Sequence, residues 1–410
     1  MVRRPTDLIC IIGSYWRFQM TQRFILKSTY NMHFIICFIL FVIIFYMIYN
    51  PIFELDDYYR FGIVAACSLI LTLLTIRVTT AISYYPIISI IIFYILLIRL
   101  NCLDDECSNG IFYVQVIPMV FLFSFSIYFF GRYYSSLLLC QILGVIFLTI
   151  SIILVYNIWP LDTFFHNDKI KLGSLSQGSY QKIATCIGFA SLFIINLLIR
   201  KNLLYKILSI FLSVYIVYIM FDFRARGESI ALFLAIIYMF SRLLLIILIA
   251  SIPFLLNIII YIGDEFDLFV INNIVKLMKA GGDVGRRIEL INIYYQNMLD
   301  NIHFLLIGGG SDIFQYINRF SMGLYVHNYL LESLIVGGVV MFSYYLYYTI
   351  RPFIFKRHVD YIYQESVLIF LLLTSLKSGT IMSNLLLYMA MAISAVTIFE
   401  RKRQFTKLGC

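Results

Sequence analysis

Charge is the first thing this chain lacks. Asp, Glu, Lys and Arg supply 13% of its 410 residues while hydrophobic residues supply 62%, against roughly 25% charged in a soluble domain. A solvated globule with one packed core is therefore excluded. Strand-like alternation is lacking too: Ile90 to Ile98 and Leu243 to Ile262 are almost continuously apolar, which excludes a spanning barrel. There is no internal repeat, no cysteine spacing that suits a metal, and no charge near the middle of an apolar run of the kind transporters carry.

What is present is a mean hydropathy of +0.91 and apolar runs that repeatedly reach the roughly 20 residues a helix needs to cross a bilayer. The expected fold is all-α: a polytopic membrane protein of about 12 transmembrane helices, with residues 1–410 as one integral membrane domain. The runs predict spans near 33–49, 61–76, 81–98, 111–130, 136–157, 181–199, 203–220, 229–240, 243–262, 327–350, 361–376 and 380–399. The eighth is short for roughly 30 Å of hydrocarbon unless Arg242 snorkels.

Residues 1–32 carry Arg3, Arg4, Arg17, Arg23 and Lys27 around a single apolar patch, Leu8 to Ile12, which predicts a retained, cytoplasmic N-terminus. On that assumption the cytoplasmic segments and span ends hold 18 of the 31 Lys and Arg but 4 of the 22 acids, as the positive-inside rule requires. Both termini are then cytoplasmic. The basic tail Arg401, Lys402, Arg403 and Lys407 is read as facing anionic headgroups, and the net charge of +9 as topological bias, with no nucleic-acid partner. Most cysteines lie in apolar segments; Cys102 and Cys107 share an external loop and can pair there if the compartment is oxidising.

Two connections are long, 158–180 and 263–326, and the second is the more informative. Within it, Leu268 to Lys279 places Ile271, Ile274, Val275 and Met278 on one helical face, as an interfacial helix would. A second helix is expected from Asp283, an N-cap residue. Arg286 and Arg287 then fall in its first turn, where backbone N–H groups favour an anion. On a solvated surface they would instead pair with Asp283 and Glu289. The external turn 222–228 is a second charged cluster: Asp222, Arg224, Arg226 and Glu228 in seven residues. It reads either as a self-neutralised turn or as a grip on a diphosphate, which the planar fork of arginine suits. The third cluster is His327-Asn328-Tyr329-Leu330-Leu331-Glu332, preceded by Gly308 to Gly310. Of five histidines, His327 alone opens a span on the external side. It is a candidate general base or else a helix cap; Asn328 and Glu332, four apart, share a helix face with each other.

These clusters, in this order and on one side, resemble the O-antigen polymerase and O-antigen ligase superfamily of bacterial envelope glycosyltransferases, whose polymerases form the Wzy class. The resemblance rests on Arg226-Gly227 opening a span, Gly285 to Arg287 opening a loop helix, Gly308 to Gly310, and His327-Asn328 opening the next span. The turn reads Ala225-Arg226-Gly227 where the family usually has Ser-Arg-Gly. What the resemblance implies is a multi-pass protein of the bacterial inner membrane that polymerises O-antigen or another surface polysaccharide. Its donor would be a glycan on undecaprenyl diphosphate, used at the periplasmic face with no metal, cofactor or nucleotide sugar. Carried over, Arg226 and Arg287 bind the diphosphate with Arg224 and Arg286 beside them, and His327 is the catalytic base. Asn328, Glu332, Asp222 and Glu228 are supporting. A flippase and a chain-length regulator would be partners. A lack of paired carboxylates suggests inversion by direct displacement. The alternatives are the ligase, a flippase or secondary transporter, and a polyprenyl-phosphate glycosyltransferase using acids such as Glu54, Asp56 and Asp57.

Overall fold

The computed structural model describes residues 28–49, 57–76, 84–99, 110–158, 179–199, 201–222, 226–242, 295–296, 302–309, 328–354, 359–377 and 384–407. Among them the regular structure is entirely helical. In chain order the helices are α1 (Ser28–Tyr49), α2 (Asp57–Thr75), α3 (Tyr84–Arg99), α4 (Gly110–Tyr133), α5 (Ser136–Ile158) and α6 (Ser179–Ile199). They continue with α7 (Leu203–Asp222), α8 (Arg226–Phe240), α9 (Ile302–Ile307), α10 (Tyr329–Ile354), α11 (Ile362–Lys377) and α12 (Leu385–Lys407).

Eleven of the twelve expected spans coincide with one of these helices; the ninth, 243–262, lies outside the described residues, as do Cys102 and Cys107. Five helices are long and apolar enough to cross a membrane, namely α1, α4, α5, α6 and α10, and α2, α3, α7, α8 and α11 carry shorter apolar stretches. The chain is therefore a membrane protein with several candidate spans.

The bundle is built around its C-terminal end. Helix α12 packs against α4, α10 and α11, and α11 against α5, α6 and α8 as well. The α12 residues from Leu387 to Ile398 are buried, many of them completely, because this helix is surrounded by protein and not by lipid. Aromatic rings fill the space between α1, α4, α5 and α6: Phe41 meets Phe130 edge-on at 4.8 Å between centroids, and Phe147 stacks on Phe189 at 4.7 Å. Close approach depends on small residues, as is usual between membrane helices. A Cβ at Gly144 would sit 2.6 Å from the Phe193 ring, and one at Gly188 would collide with Phe370.

Hydrogen bonds fix which helix ends lie together. The His33 ring, at the start of α1, donates from Nε2 to Leu74 O at 2.9 Å, leaving Nδ1 to accept from the Tyr134 hydroxyl at 2.7 Å. Ser136, opening α5, donates its N–H to Glu400 Oε1 at 2.8 Å and its hydroxyl to Oε2. Glu400 lies just past the apolar stretch Leu385–Phe399; burial pushes its carboxyl above the ordinary range and the Ser136 bonds pull it partly back. Arg401 pairs with Glu365 and donates to Pro352 O at 2.7 Å. Arg242 donates to Phe353 O at 2.6 Å, so instead of snorkelling it caps the last turn of α10. One end of the bundle thus gathers the N-termini of α1, α5 and α11 with the C-termini of α2, α4, α8, α10 and α12. The starts of α8 and α10 lie at the other end.

The basic tail needs a correction. Arg401 is not offered to lipid headgroups: its side chain is 3% exposed, ion-paired with Glu365 and held 4.6 Å over the Tyr361 ring. Glu365 also accepts from the Tyr238 hydroxyl. A buried arginine is tolerable when its charge is paired, and this one joins α12 to α10, to α11 and, through Glu365 and Tyr238, to α8.

Candidate functional site

The end of the bundle opposite that ion pair carries two of the three charged clusters. Asp222 closes α7 and Arg226 opens α8, so the 222–228 cluster joins these two helices at this end; residues 223–225 lie outside the described residues. Glu228 follows in the first turn of α8 and is completely buried. A carboxylate in a first helical turn is stabilised by the macrodipole and the unpaired N–H groups there. On α10, Asn328 is the N-cap: its Oδ1 accepts from the Leu330 and Leu331 N–H groups at 3.1 and 3.2 Å. Glu332 lies one turn on, its own N–H donating to Asn328 O at 2.8 Å, and it too is completely buried. Helix α11 packs against both α8 and α10. Arg224, Arg286, Arg287 and His327 lie outside the described residues, as do the two loop helices expected over 268–279 and from 283.

Inward from Glu332 runs a polar seam that the sequence reading did not single out. Glu332 interacts electrostatically with Tyr345 and Tyr388, whose hydroxyls are hydrogen-bonded to each other at 2.6 Å. Farther along, Ser89 and Tyr344 are bonded at 2.5 Å, and Tyr85 is bonded to Ser124. Ser394 donates to Tyr348 O at 2.5 Å. Four helices, α3, α4, α10 and α12, meet along this seam. A hydroxyl buried in a bundle needs a partner, and networks of this kind fix one packing among many. The only signal in the sequence was spacing: Tyr344, Tyr345 and Tyr348 fall on one face of α10.

Of the glycine run, Gly310 lies outside the described residues. Gly308 and Gly309 pack against Val336 to Gly338 of α10, with Gly309 N–H donating to Ile335 O at 2.7 Å. There α10 is broken: Gly338 has φ 64° and ψ −161°, leaving an outer half, Tyr329 to Gly337, that carries Glu332 and follows its cap Asn328.

Chemically, this end offers two buried carboxylates, the capped start of α10 and an arginine at the start of α8. No protein-family model matches the chain, and neither a curated protein nor a solved structure matches it.

Proposed function

We propose that the chain is a polysaccharide polymerase of the bacterial inner membrane. In this reading it transfers a glycan from undecaprenyl diphosphate to the acceptor hydroxyl of a second lipid-linked repeat unit, at the periplasmic face. The observation that carries it is the shared end of the 222–228 and 328–332 clusters, each with one carboxylate withdrawn from solvent. The third cluster, Arg286-Arg287, joins them through the resemblance to the O-antigen polymerase and ligase superfamily.

In the proposed reaction the acceptor oxygen attacks the anomeric carbon and the bond from that carbon to the diphosphate oxygen breaks. The proton leaves with His327. Arg226 and Arg287 neutralise the charge that grows on the departing diphosphate, which is where electrostatic stabilisation has most effect. Arg224 and Arg286 support them, and Glu228 and Glu332 hold the arginines and the acceptor in register. The energy is that of the lipid diphosphate, so no nucleotide or metal enters. A flippase would supply the donor and a chain-length regulator would act on the product.

One observation favours a second reading. Secondary transporters build their sites from broken helices, and α10 is broken at Gly338 with the buried Glu332 earlier on its outer half. Deleting the gene and running the surface polysaccharide on a gel separates the readings. A polymerase leaves one repeat on the core, a ligase leaves bare core with lipid-linked polymer accumulating, and a flippase leaves bare core with unpolymerised units facing the cytoplasm.

Two further outcomes are expected. Reporter fusions at Lys279 and Lys402 should give opposite signals, since the charge asymmetry puts the 263–326 connection outside and both termini inside; equal signals would remove this topology. Arg226→Lys and Arg287→Lys should each lower polymerisation about 10²-fold, nearly as far as alanine, because lysine keeps the charge and loses the fork. Normal polymer from both lysine variants at native expression would leave the arginines no role in the diphosphate site.

A further inference from the structure

Residues 302–309 belong by sequence to a long connection between spans, yet their contacts are with the backbone of a candidate membrane span. Gly308 and Gly338 both have positive φ, 77° and 64°, a region other residues occupy only under strain. Each lies against the other segment's main chain: a Cβ on Gly308 would collide with Val336 O, and one on Gly338 with Leu306 O. The two segments therefore touch backbone to backbone.

The contact also includes a hydrogen bond. The carbonyl of Ile335, in the last turn before the break at Gly338, accepts from Gly309 N–H at 2.7 Å. Gly338 is about 13 Å along α10 from Tyr329, at roughly 1.5 Å per residue, so the bond is made within the candidate span.

What this contact holds is the outer half of α10. Glu332 belongs to that half, while Tyr345, with which it interacts electrostatically, belongs to the inner half and Tyr388 to α12. The angle at the break sets how near Glu332 lies to them. We infer that Gly308, Gly309 and Gly338 form a backbone clasp through which residues 302–309 set the position of Asn328 and Glu332. These glycines are positioning residues for the mouth of the candidate site. The use made of the mouth rests on the glycosyltransferase reading; the clasp does not.

Hydrogen exchange on the full-length protein in nanodiscs tests it without any assay of transfer. In the native chain the Gly309 amide should exchange as slowly as amides inside α10; rapid exchange there would overturn the clasp. Gly308→Ala, a change in the connection, should speed exchange across Leu330 to Gly337 about tenfold, as expected when one buried hydrogen bond is lost. Gly338→Ala should do the same, and the double variant should be little worse than either single, since both break one contact. Gly62→Ala, in α2, is the control: its added Cβ meets nothing within 4 Å. Unchanged exchange in Gly308→Ala, equal effects from Gly62→Ala, or additive effects in the double variant would each reject the clasp. If the variants do not accumulate, the native Gly309 amide alone decides. For activity, the glycosyltransferase reading adds that Gly308→Ala lowers turnover while donor affinity holds. A clasp without that split would count against the reading and leave the clasp standing.

Discussion

Arg401→Met should destabilise the folded chain by about 3–5 kcal/mol, the usual cost of stranding one member of a buried ion pair. Glu365 is 1% exposed and would be left with the Tyr238 hydroxyl, while Pro352 O would lose its guanidinium donor. The pair need not be stabilising in itself, because withdrawing two ions from water costs about as much as their attraction returns. Arg401→Met combined with Glu365→Met should therefore recover most of the loss. Unfolding midpoints of detergent-solubilised protein would measure both. A double variant as unstable as the sum of its singles would mean that the two side chains act separately and that the pair does not join α12 to α11.

The same cluster illustrates what could be read from the sequence and what could not. The spans were legible because an apolar run long enough to cross a bilayer has few alternatives, and helix ends such as Ser136 and Leu203 fall where the runs begin. Arg401 was misread because a basic residue after the last span looks alike whether it faces lipid or folds back. What decides is Glu365, a lone acid entering the preceding span, and no pattern in the sequence joins two residues 36 apart. The seam from Glu332 to Ser394 was invisible for a different reason. Tyrosine scores as hydrophobic, so 32 of them enlarge the apolar fraction while their hydroxyls go unrecorded. Gly337-Gly338 lay inside an apolar run that read as one continuous span, and nothing local says that Gly338 takes a positive φ. That conformation is imposed by a partner segment about 30 positions upstream. At the candidate site, the start of α8 at Arg226 and the start of α10 just after Asn328 were legible from residue type and spacing; the burial of Glu228 and Glu332 was not.

For His327→Ala the expected result is a fall in turnover of roughly 10² to 10⁴, the contribution of a positioned general base, with donor binding nearly intact. The competing idea was that a histidine here merely caps the helix. Asn328 weakens that alternative, because its own side chain accepts from the first free amides of α10. The cap is occupied. Asn328→Ala should then carry the stability cost, about 0.5–2 kcal/mol, with activity falling only in proportion to the folded protein that remains. His327→Ala should show the reverse: normal abundance and low turnover per molecule. Purified variants assayed with lipid-linked repeat units at equal folded concentration make the comparison. If His327→Ala turns over normally, the proton must go elsewhere. Glu332 is then the next candidate, in the first turn of α10 and interacting electrostatically with the hydrogen-bonded pair Tyr345 and Tyr388. Its replacement by Gln would keep the shape and remove the acceptor charge, so a loss confined to Glu332→Gln would move the base from His327 to Glu332.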